Sequence, residues 1–285
     1  MKWRTTRFVV DLSLPRVMGI VNVTPDSFSD GGRFADAPAA LAHCEKLLAG
    51  GADLLDIGGE STRPGALPTA WQDEWQRVQP VLAGALRLGC PVSIDTMKTE
   101  VMERSIDLGV DIVNDVNALR SAGALPLVAA ASCGVCLMHL PGDPRSMQRD
   151  PLAGDVVAEV RRFLGDRADA VRALGAAKER IVLDPGIGFG KTVEGNFELL
   201  RRQGELLSLG YPLLVGWSRK SSLGALTGRA AGDRLVASVA AALAAVQHGA
   251  QIVRVHDVAA TVDALRVWKA AGLPGSLPCA SSTIG

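Results

Sequence analysis

The stretch Gly51-Ala-Asp-Leu-Leu-Asp56 is the unit from which the fold can be worked out. Its glycine can end a helix, and its two leucines begin a short apolar run that stops at a carboxylate. The same layout returns in Gly109-Val-Asp-Ile-Val-Asn114 and in Gly249-Ala-Gln-Ile-Val-Arg254. An internal repeat of this kind indicates a fold built from repeated units of helix, turn and strand.

Eight apolar runs along the chain end in polar side chains. Near-continuous apolar runs are typical of strands buried on both faces, as in a parallel sheet covered by helices. The runs occupy residues 17–21, 54–58, 92–94, 112–113, 136–138, 181–183, 213–217 and 252–255. We therefore predict an α/β protein, a single (β/α)₈ TIM barrel with its polar groups at the carboxyl ends of the strands.

The segments outside these runs predict the rest of the architecture. Residues 1–15 precede the first barrel strand, and we expect them to form a hairpin that closes the bottom of the barrel. Residues 22–34 and 59–69 are polar and rich in Gly and Pro, so we expect long loops over the site. The barrel domain should span residues 1–273, and the tail 274–285 should be disordered because Pro, Gly and Ser dominate it.

Capping residues predict where several helices begin. Asp36 can cap a helix over 37–49, and Asp233 and Asp257 can cap the last two helices. For the helix after Asp233 we expect one face with these apolar residues: Leu235, Val236, Val239, Ala240, Leu243 and Val246.

The composition excludes several classes of protein. The 285 residues include 30 basic and 30 acidic side chains, so the net charge is zero, and nucleic-acid binding is not expected because it needs a basic excess. No apolar run approaches the roughly 20 residues that cross a bilayer, and the first apolar run is too short for a signal peptide. We expect a cytoplasmic protein with no membrane partner.

Two motifs that suggest a metal or phosphate site are set aside. Cys133 and Cys136 have the spacing of half a zinc site, but no second pair accompanies them. We expect all five cysteines to be reduced and structural. The glycines of Gly186-x-Gly188-x-Gly190-Lys191-Thr192 do not have the spacing of a phosphate-binding loop.

Polar groups at the strand ends predict a binding site. Asp95, Asn114 and Asp184 end buried strands, where a carboxylate must be hydrogen-bonded or neutral. They favour a ligand rich in N–H donors, although Asp95 could instead cap the following helix. The segment 22–32 offers oxygen ligands for a site, although the same residues could simply form a capped turn. The segment 58–65 offers hydroxyls and an arginine that could bind an anion, although it could instead be a solvated loop.

Basic groups near the last two strands predict an anion site. The stretch Ser218-Arg-Lys-Ser-Ser222 lies where the seventh strand meets a helix, a common anion-binding position in barrel enzymes. Arg254 and His256 alternate along the eighth strand, so both can face the barrel mouth. The sequence thus predicts a substrate with one donor-rich end and one anionic end.

Five motifs together resemble those of the dihydropteroate synthase family. They are Asn22-Val-Thr-Pro-Asp-Ser-Phe-Ser-Asp-Gly-Gly32, Asp56-Ile-Gly-Gly-Glu-Ser-Thr-Arg-Pro-Gly65, Leu183-Asp-Pro-Gly-Ile-Gly-Phe-Gly-Lys191, Ser218-Arg-Lys-Ser221 and Arg254-Val-His-Asp257. The resemblance covers nearly the whole chain. It implies a (β/α)₈ barrel of folate biosynthesis that joins 4-aminobenzoate to 7,8-dihydropterin-6-ylmethyl diphosphate, giving 7,8-dihydropteroate and diphosphate.

The resemblance also implies which residues contact each substrate. The pterin pocket would comprise Asp95, Asn114, Met138, Asp184, Phe189, Lys220 and Arg254. The diphosphate would bind Asn22, Thr62, Arg63, Arg254 and His256, with Asn22 at a Mg²⁺ ion. The 4-aminobenzoate would contact Thr24, Pro25, Phe28, Pro64, Ser218, Arg219 and Ser221.

The implied reaction is an SN1-like displacement at the exocyclic methylene carbon, with diphosphate leaving first. Asp26 would stabilise the developing cation, and Lys220, Arg254 and His256 complete the catalytic groups. The resemblance further implies a homodimer. The alternative function is a methyltransferase-like or non-catalytic pterin-binding barrel, which would keep the pterin pocket but has no use for an arylamine site.

Two positions stand apart from the family pattern. Trp217 occupies a place where the family often carries Met or Phe, and we expect it to alter the local shape of the pocket. Asn117 receives no role from the sequence.

Overall fold

Eight parallel strands form the centre of the molecule, and a two-stranded hairpin precedes them. The structure is a computed structural model that describes residues 1–24, 36–61, 68–142, 147 and 151–272. The hairpin consists of β1 (Lys2–Arg4) and β2 (Val9–Asp11), paired antiparallel. The barrel strands are β3 (Arg16–Asn22), β4 (Leu54–Gly58), β5 (Val92–Asp95), β6 (Ile112–Asp115), β7 (Gly134–Met138), β8 (Ile181–Asp184), β9 (Leu214–Val215) and β10 (Ile252–Val255).

The eight parallel strands close into a barrel. Their order in the sheet is β8-β7-β6-β5-β4-β3-β10-β9, and a parallel bridge between Leu183 and Leu213 joins the two outer strands. The predicted (β/α)₈ barrel is therefore confirmed. Strand β9 is shorter than the predicted run 213–217, because the chain turns soon after it, with Lys220 N donating to Trp217 O at 3.2 Å.

Helices surround the barrel and return the chain to the start of each next strand. They are α1 (Asp36–Ala49), α2 (Trp71–Ala85), α3 (Thr99–Leu108), α4 (Ala124–Ala130), α5 (Val156–Ala173), α6 (Val193–Arg201), α7 (Ser221–Thr227), α8 (Leu235–Gln247) and α9 (Val258–Ala270). Gly109 ends α3 with φ 96°, a left-handed conformation that glycine adopts without steric cost. Helix α7 is an extra short helix between β9 and α8.

The predictions for the start and buried face of α8 were wrong. Asp233 lies in a 3₁₀ turn, and Arg234 occupies the N-cap position without a capping hydrogen bond. Leu235 and Val236 are 43% and 80% exposed. The buried face instead carries mostly small side chains, namely Ser238, Ala241, Ala242, Ala245 and Val246. In a helix apolar on nearly all sides, size selects the buried face, because small side chains let the helix pack close to the sheet.

Two other predicted caps also differ. Helix α1 begins at Asp36 itself. Asp257 does occupy the N-cap position of α9, but its side chain makes no capping hydrogen bond. Its carboxylate instead accepts from Arg219, at 2.8 Å from Nη2. An ion pair between the segments that follow the adjacent strands β9 and β10 thus replaces the local cap.

The inside of the barrel is apolar at the bottom and polar at the top. Seven strands contribute one side chain each to the bottom layer, namely Met18, Leu54, Ile112, Cys136, Val182, Leu214 and Ile252. Trp3 of the hairpin packs into the same layer, fully buried, and its Nε1 donates to Arg180 O at 2.9 Å. The expected hairpin plug is therefore confirmed. Among the described residues, no helix combines the length and apolar character needed to cross a bilayer.

Candidate active site at the barrel mouth

Four polar side chains from four strands meet above the apolar layer. Arg254 Nε donates to Asp56 Oδ2 at 2.6 Å, and Arg254 Nη2 donates to Asp95 Oδ2 at 2.7 Å. Asn114 Nδ2 donates to the same Asp56 oxygen at 3.0 Å. In the strand register Asp95 pairs with Asn114, whereas Asp56 pairs with Ser93, one inward position before Asp95. Side chains that point into the barrel from these strands meet in its interior, where the long Arg254 side chain reaches both carboxylates.

Two carboxylates share one guanidinium in this network. Burial raises the pKa of Asp95 to about 7, and it outweighs the attraction of Arg254, while Asp56 adds repulsion. The two carboxylates hold the pKa of Arg254 above its usual range despite burial. The arginine is thus permanently charged and fixed in position, and Asp95 can exchange a proton near neutral pH.

Asp56 is a site residue that the sequence interpretation left unassigned. It is fully buried, and its Oδ1 has no hydrogen-bond partner among the described residues. The residue lies inside β4 rather than at its end, so the search for polar groups after apolar runs did not select it. The internal repeat did contain a signal, because Asp56, Asn114 and Arg254 occupy the same place in their repeats.

Asp184 ends β8 beside an apolar wall. Its Oδ1 accepts from Gly186 N at 2.7 Å, and burial raises the pKa of this carboxyl to about 6. Met138 lies directly opposite in the strand register. The wall is one apolar cluster of Val116, Met138, Leu140 and Met147, with Met97 and Phe189 packed against it. A flat heterocycle with an N–H edge suits such a surface, because its face contacts the wall and its edge contacts the carboxylate.

Lys220, which follows the neighbouring strand β9, approaches the same wall. Its Nζ lies 4.2 Å from the centre of the Phe189 ring, within the range of a cation–π contact. Burial lowers the pKa of Lys220 to about 8, against the opposing effect of Asp184. The predicted pterin residues on β5 to β10 are therefore gathered around one cavity mouth.

Ser218 and His256 form a pair at the carboxyl ends of β9 and β10. Ser218 Oγ lies 2.9 Å from His256 Nδ1 and accepts from His256 N at 3.1 Å. Burial, with help from nearby Arg219 and Arg254, lowers the pKa of His256 to about 3, so the imidazole is neutral at physiological pH. A neutral histidine can donate a hydrogen bond to an oxyanion without adding charge.

The remaining predicted contacts are placed as follows. Arg219 has φ 60° and pairs with Asp257, and Ser221 is the exposed first residue of α7. Asn22 ends β3 in register with Gly58, and Thr24 follows two residues later. Pro25, Asp26, Phe28, Thr62, Arg63 and Pro64 lie outside the described residues.

Three residues near the mouth face away from it. Trp217 is buried against Phe197, with ring centroids 5.2 Å apart, so the expectation that it alters the pocket was wrong. Inward and outward positions alternate along a strand, and Leu214 is the β9 residue that points inward. Asn117 shapes the turn after β6, donating from its N to Asp115 Oδ1 at 2.7 Å. His139 packs edge-on against Phe163 of α5.

The cysteine prediction is confirmed for the residues that the structure describes. Cys44, Cys90, Cys133 and Cys136 are buried and form no disulfide. Burial raises the pKa of the Cys44 and Cys90 thiols, to about 12 and about 11, so neither is a reactive thiolate. Cys279 lies outside the described residues.

Comparison with known proteins agrees with this geometry. The family model described as pterin binding enzyme matches residues 18–256. The chain is 54% identical over 278 residues to a dihydropteroate synthase of Neisseria meningitidis serogroup B, covering 95% of this chain and 98% of that one. A solved Xanthomonas albilineans dihydropteroate synthase with 4-aminobenzoic acid is 50% identical, with TM-score 0.90, covering 95% of this chain and 99% of that one. The same enzyme in complex with 7,8-dihydropteroate is 47% identical, with TM-score 0.87 and the same coverage.

Proposed function

Because the chain belongs to the pterin-binding enzyme family and its full-length relatives are dihydropteroate synthases, we propose that the barrel mouth is its condensation site. The enzyme condenses 7,8-dihydropterin-6-ylmethyl diphosphate with 4-aminobenzoate to 7,8-dihydropteroate and diphosphate, a step of folate biosynthesis. The observation that carries the proposal is the joint placement of Asp184, Asn114 and Asp95 beside the wall of Met138 and Phe189.

The pterin occupies the wall between Asp184 and Lys220. The 2-amino group and N3–H of a pterin are two parallel donors, and the Asp184 carboxylate accepts them as a pair. Phe189 and Met138 contact the flat ring, and Asn114 and Asp95 contact its far edge. Arg254 lies over the ring, where Asp56 and Asp95 hold it.

The diphosphate and 4-aminobenzoate occupy the opposite side of the mouth. Asn22, Arg254 and His256 contact the leaving diphosphate, with Thr62 and Arg63, which follow β4 in the sequence. Ser218, Arg219 and Ser221 bind the arylamine carboxylate, and Thr24, Pro25, Phe28 and Pro64 contact its ring. Support for this placement comes from the Ser218–His256 contact, which joins the two subsites. The roles of residues in 25–35 and 62–67 rest on the family resemblance alone.

A divalent metal requirement is consistent with the family, and the described residues fit Mg²⁺ in one way. They contain no group of three His, Cys, Asp or Glu side chains that could hold a metal. Mg²⁺ keeps waters and phosphate oxygens as ligands, so one amide oxygen from Asn22 suffices on the protein side. When bound there with the substrate, the ion would neutralise charge on the leaving diphosphate.

The reaction is a displacement in which the bond to diphosphate breaks before the bond to nitrogen forms. Arg254 and His256 stabilise the departing anion, and the apolar wall excludes water from the carbocation. Asp26 stabilises the positive charge that develops on the pterin-methylene unit. The arylamine is unprotonated at neutral pH, so its nitrogen attacks the cation without a strong base, and the new C–N bond then releases one N–H proton to solvent. Toward the arylamine, the enzyme's contribution is orientation.

The enzyme acts as a homodimer in the cytoplasm, with residues 1–273 as its one catalytic domain; the predicted tail 274–285 lies outside the described residues. Support for the dimer comes from apolar side chains on α7 and α8: Leu226 is 69% exposed and Val236 is 80% exposed. Exposed apolar groups on adjacent helices are typical of a surface that another subunit covers. Sedimentation of wild type and Val236→Asp tests this, and a monomeric wild type would contradict it.

The condensation itself is tested by a coupled assay. We expect diphosphate release that depends on 4-aminobenzoate and that yields dihydropteroate, lost with a chelator and restored by Mg²⁺. A pterin-binding barrel without turnover, the alternative, would bind the pterin substrate and release no diphosphate under any of these conditions.

A further inference from the structure

We propose that Lys191 is a positioning residue for the pterin pocket. The inference rests on the proposed pterin site, because it concerns the residue that holds the site's loop and its charge. Lys191 belongs to the glycine-rich motif that matched no phosphate-binding pattern. Its side chain is only 4% exposed, and none of the reaction steps above uses it.

Three backbone carbonyls surround the Lys191 ammonium. Its Nζ donates to Gly186 O at 2.8 Å, to Phe189 O at 2.9 Å and to His139 O at 3.5 Å. An ammonium group has three N–H donors, so the three carbonyls match its hydrogen-bonding capacity. No carboxylate forms an ion pair with it among the described residues. Burying a lysine in this way is costly, and a structural core would use an apolar residue instead.

The carbonyls that Lys191 holds belong to the segment that builds the pocket. Gly186 N is the donor to Asp184, and Phe189 carries the ring that faces Lys220. His139 O belongs to the chain leaving β7, just beyond Met138 of the apolar wall. Through these hydrogen bonds, the Lys191 ammonium holds in place the segment that contacts the Asp184 carboxylate, the residue that carries the Phe189 ring, and the chain just after β7.

The glycines of the motif allow the backbone to pass close to the Lys191 ammonium. Gly186 has φ 67°, and a Cβ there would lie 2.0 Å from His139 O. Gly190 has φ 57°, and a Cβ there would lie 2.4 Å from Pro141 Cγ. Both positions therefore require glycine for two reasons, backbone conformation and close approach. The glycine-rich motif therefore surrounds the ammonium group of Lys191 with backbone carbonyls, and it does not form a phosphate-binding loop.

Lys191 also contributes charge at the Asp184 carboxylate. The positive groups that face Asp184 are Lys220, Arg254 and Lys191, and each favours its ionised form. The groups that act on Lys191 are Asp184, which favours the ammonium, and Lys220, which opposes it. His139 packs on the far side and is neutral, since burial lowers its pKa to about 2. Below about pH 7, Lys191 therefore helps to keep Asp184 ready to accept two pterin donors.

The test measures binding of a 6-hydroxymethyl-7,8-dihydropterin by calorimetry, without 4-aminobenzoate, between pH 5 and 8. We expect Lys191→Met to weaken binding roughly tenfold or more, the size of a lost hydrogen bond to a charged group. We also expect the low-pH loss of binding to occur at higher pH, because Asp184 loses a favourable charge. Weaker binding with an unmoved pH profile would reduce Lys191 to a structural role and overturn the proposal.

Two control variants separate positioning from general stability. Thr192→Ala removes the neighbouring N-cap of α6, where Thr192 Oγ1 accepts from Gly195 N at 3.0 Å. Lys178→Met makes the same exchange just before β8, at the opposite end of that strand, where Nζ lies over the Tyr211 ring. Both should retain wild-type pterin affinity and pH profile. An equal loss of affinity in Thr192→Ala would overturn the proposal.

Two further measurements test the proposal if the Lys191→Met variant does not fold. NMR of ¹⁵N-lysine in wild type and in Asp184→Asn should show a lower pKa for Lys191 in the variant, and an unchanged pKa would refute the coupling. Asp184→Asn also separates the two proposals. If it binds the pterin normally, the proposed pocket fails; if it binds poorly while Lys191→Met binds normally, only the inference about Lys191 fails.

Discussion

Replacing Asp184 with Asn should remove most of the affinity for the pterin. Gly186 N donates to Asp184 Oδ1 at 2.7 Å, and this contact decides which side of the new amide carries the oxygen. The amide NH₂ must then face the ligand, where the pterin presents its own N–H donors. If the amide turns over, its NH₂ faces Gly186 N instead. Either orientation places two donors against each other.

The size of the effect follows from the contacts that are lost. Asp184 is 6% exposed, so water has little access to replace the missing acceptor. Hydrogen bonds to a charged group contribute about 1.5 to 3 kcal/mol each, and removing one partner of a buried charged contact costs about 3 to 5 kcal/mol. We therefore expect the Kd for a dihydropterin to rise by roughly 10² to 10⁴.

The assay is calorimetric titration of folded protein at pH 7.5, with Asp115→Asn as the matched control. Asp115 is also fully buried, at the end of β6, but its oxygens accept from Asn117 N and Leu119 N, both at 2.7 Å. The control should lower the free energy of unfolding by about 1 to 3 kcal/mol and leave pterin affinity unchanged. Wild-type affinity in Asp184→Asn, or an equal loss in Asp115→Asn, would refute the bidentate assignment.

Three further predictions follow from the same structure. Because burial raises the pKa of Asp184 to about 6 and only the ionised carboxylate accepts both donors, pterin affinity should fall as pH drops from 7 to 5; a flat titration would contradict this. Ser218→Ala removes the hydroxyl that contacts His256 Nδ1 and N, and it should raise KM for 4-aminobenzoate about fivefold more than KM for the pterin substrate; equal changes would argue against the subsite. Trp3→Ala should lower the free energy of unfolding in urea by about 3 to 5 kcal/mol with turnover per folded molecule unchanged, and a selective loss of turnover would disprove the separation of the two barrel ends.

The sequence predicted the barrel because its strands are buried on both faces. Such strands appear in the sequence as uninterrupted apolar runs. Seven of the eight observed strands match a predicted run to within one residue at each end or extend it by two, and only β9 is shorter than predicted. The start and buried face of α8 were not predictable from periodicity. Leu235 and Val236 are apolar but exposed, and the helix packs through Ala241 and Ala245. Side-chain size in tertiary contact, rather than hydrophobicity, selected the face.

The site was predictable where a functional group follows an apolar run, as at Asp184 and Asn114. Asp56 escaped because it lies within a strand, and its importance appears only when Arg254 arrives from a strand distant in sequence. The role of Lys191 was not predicted from the sequence for a different reason. Its partners are backbone carbonyls, which every residue carries, so no side-chain pattern can reveal them. Networks of this kind need the folded geometry.

The closure of the barrel has a consequence for synthesis of the chain. Val17 of β3 pairs with Val253 of β10, and Trp3 donates to a carbonyl 177 positions away. At about 5 to 20 residues per second on the ribosome, β3 therefore waits roughly ten seconds or more for its second neighbour. Throughout that interval it is an unpaired apolar edge, open to association with other nascent chains. Yield in the cell should depend on chaperone supply more strongly than the stability of the finished barrel would suggest.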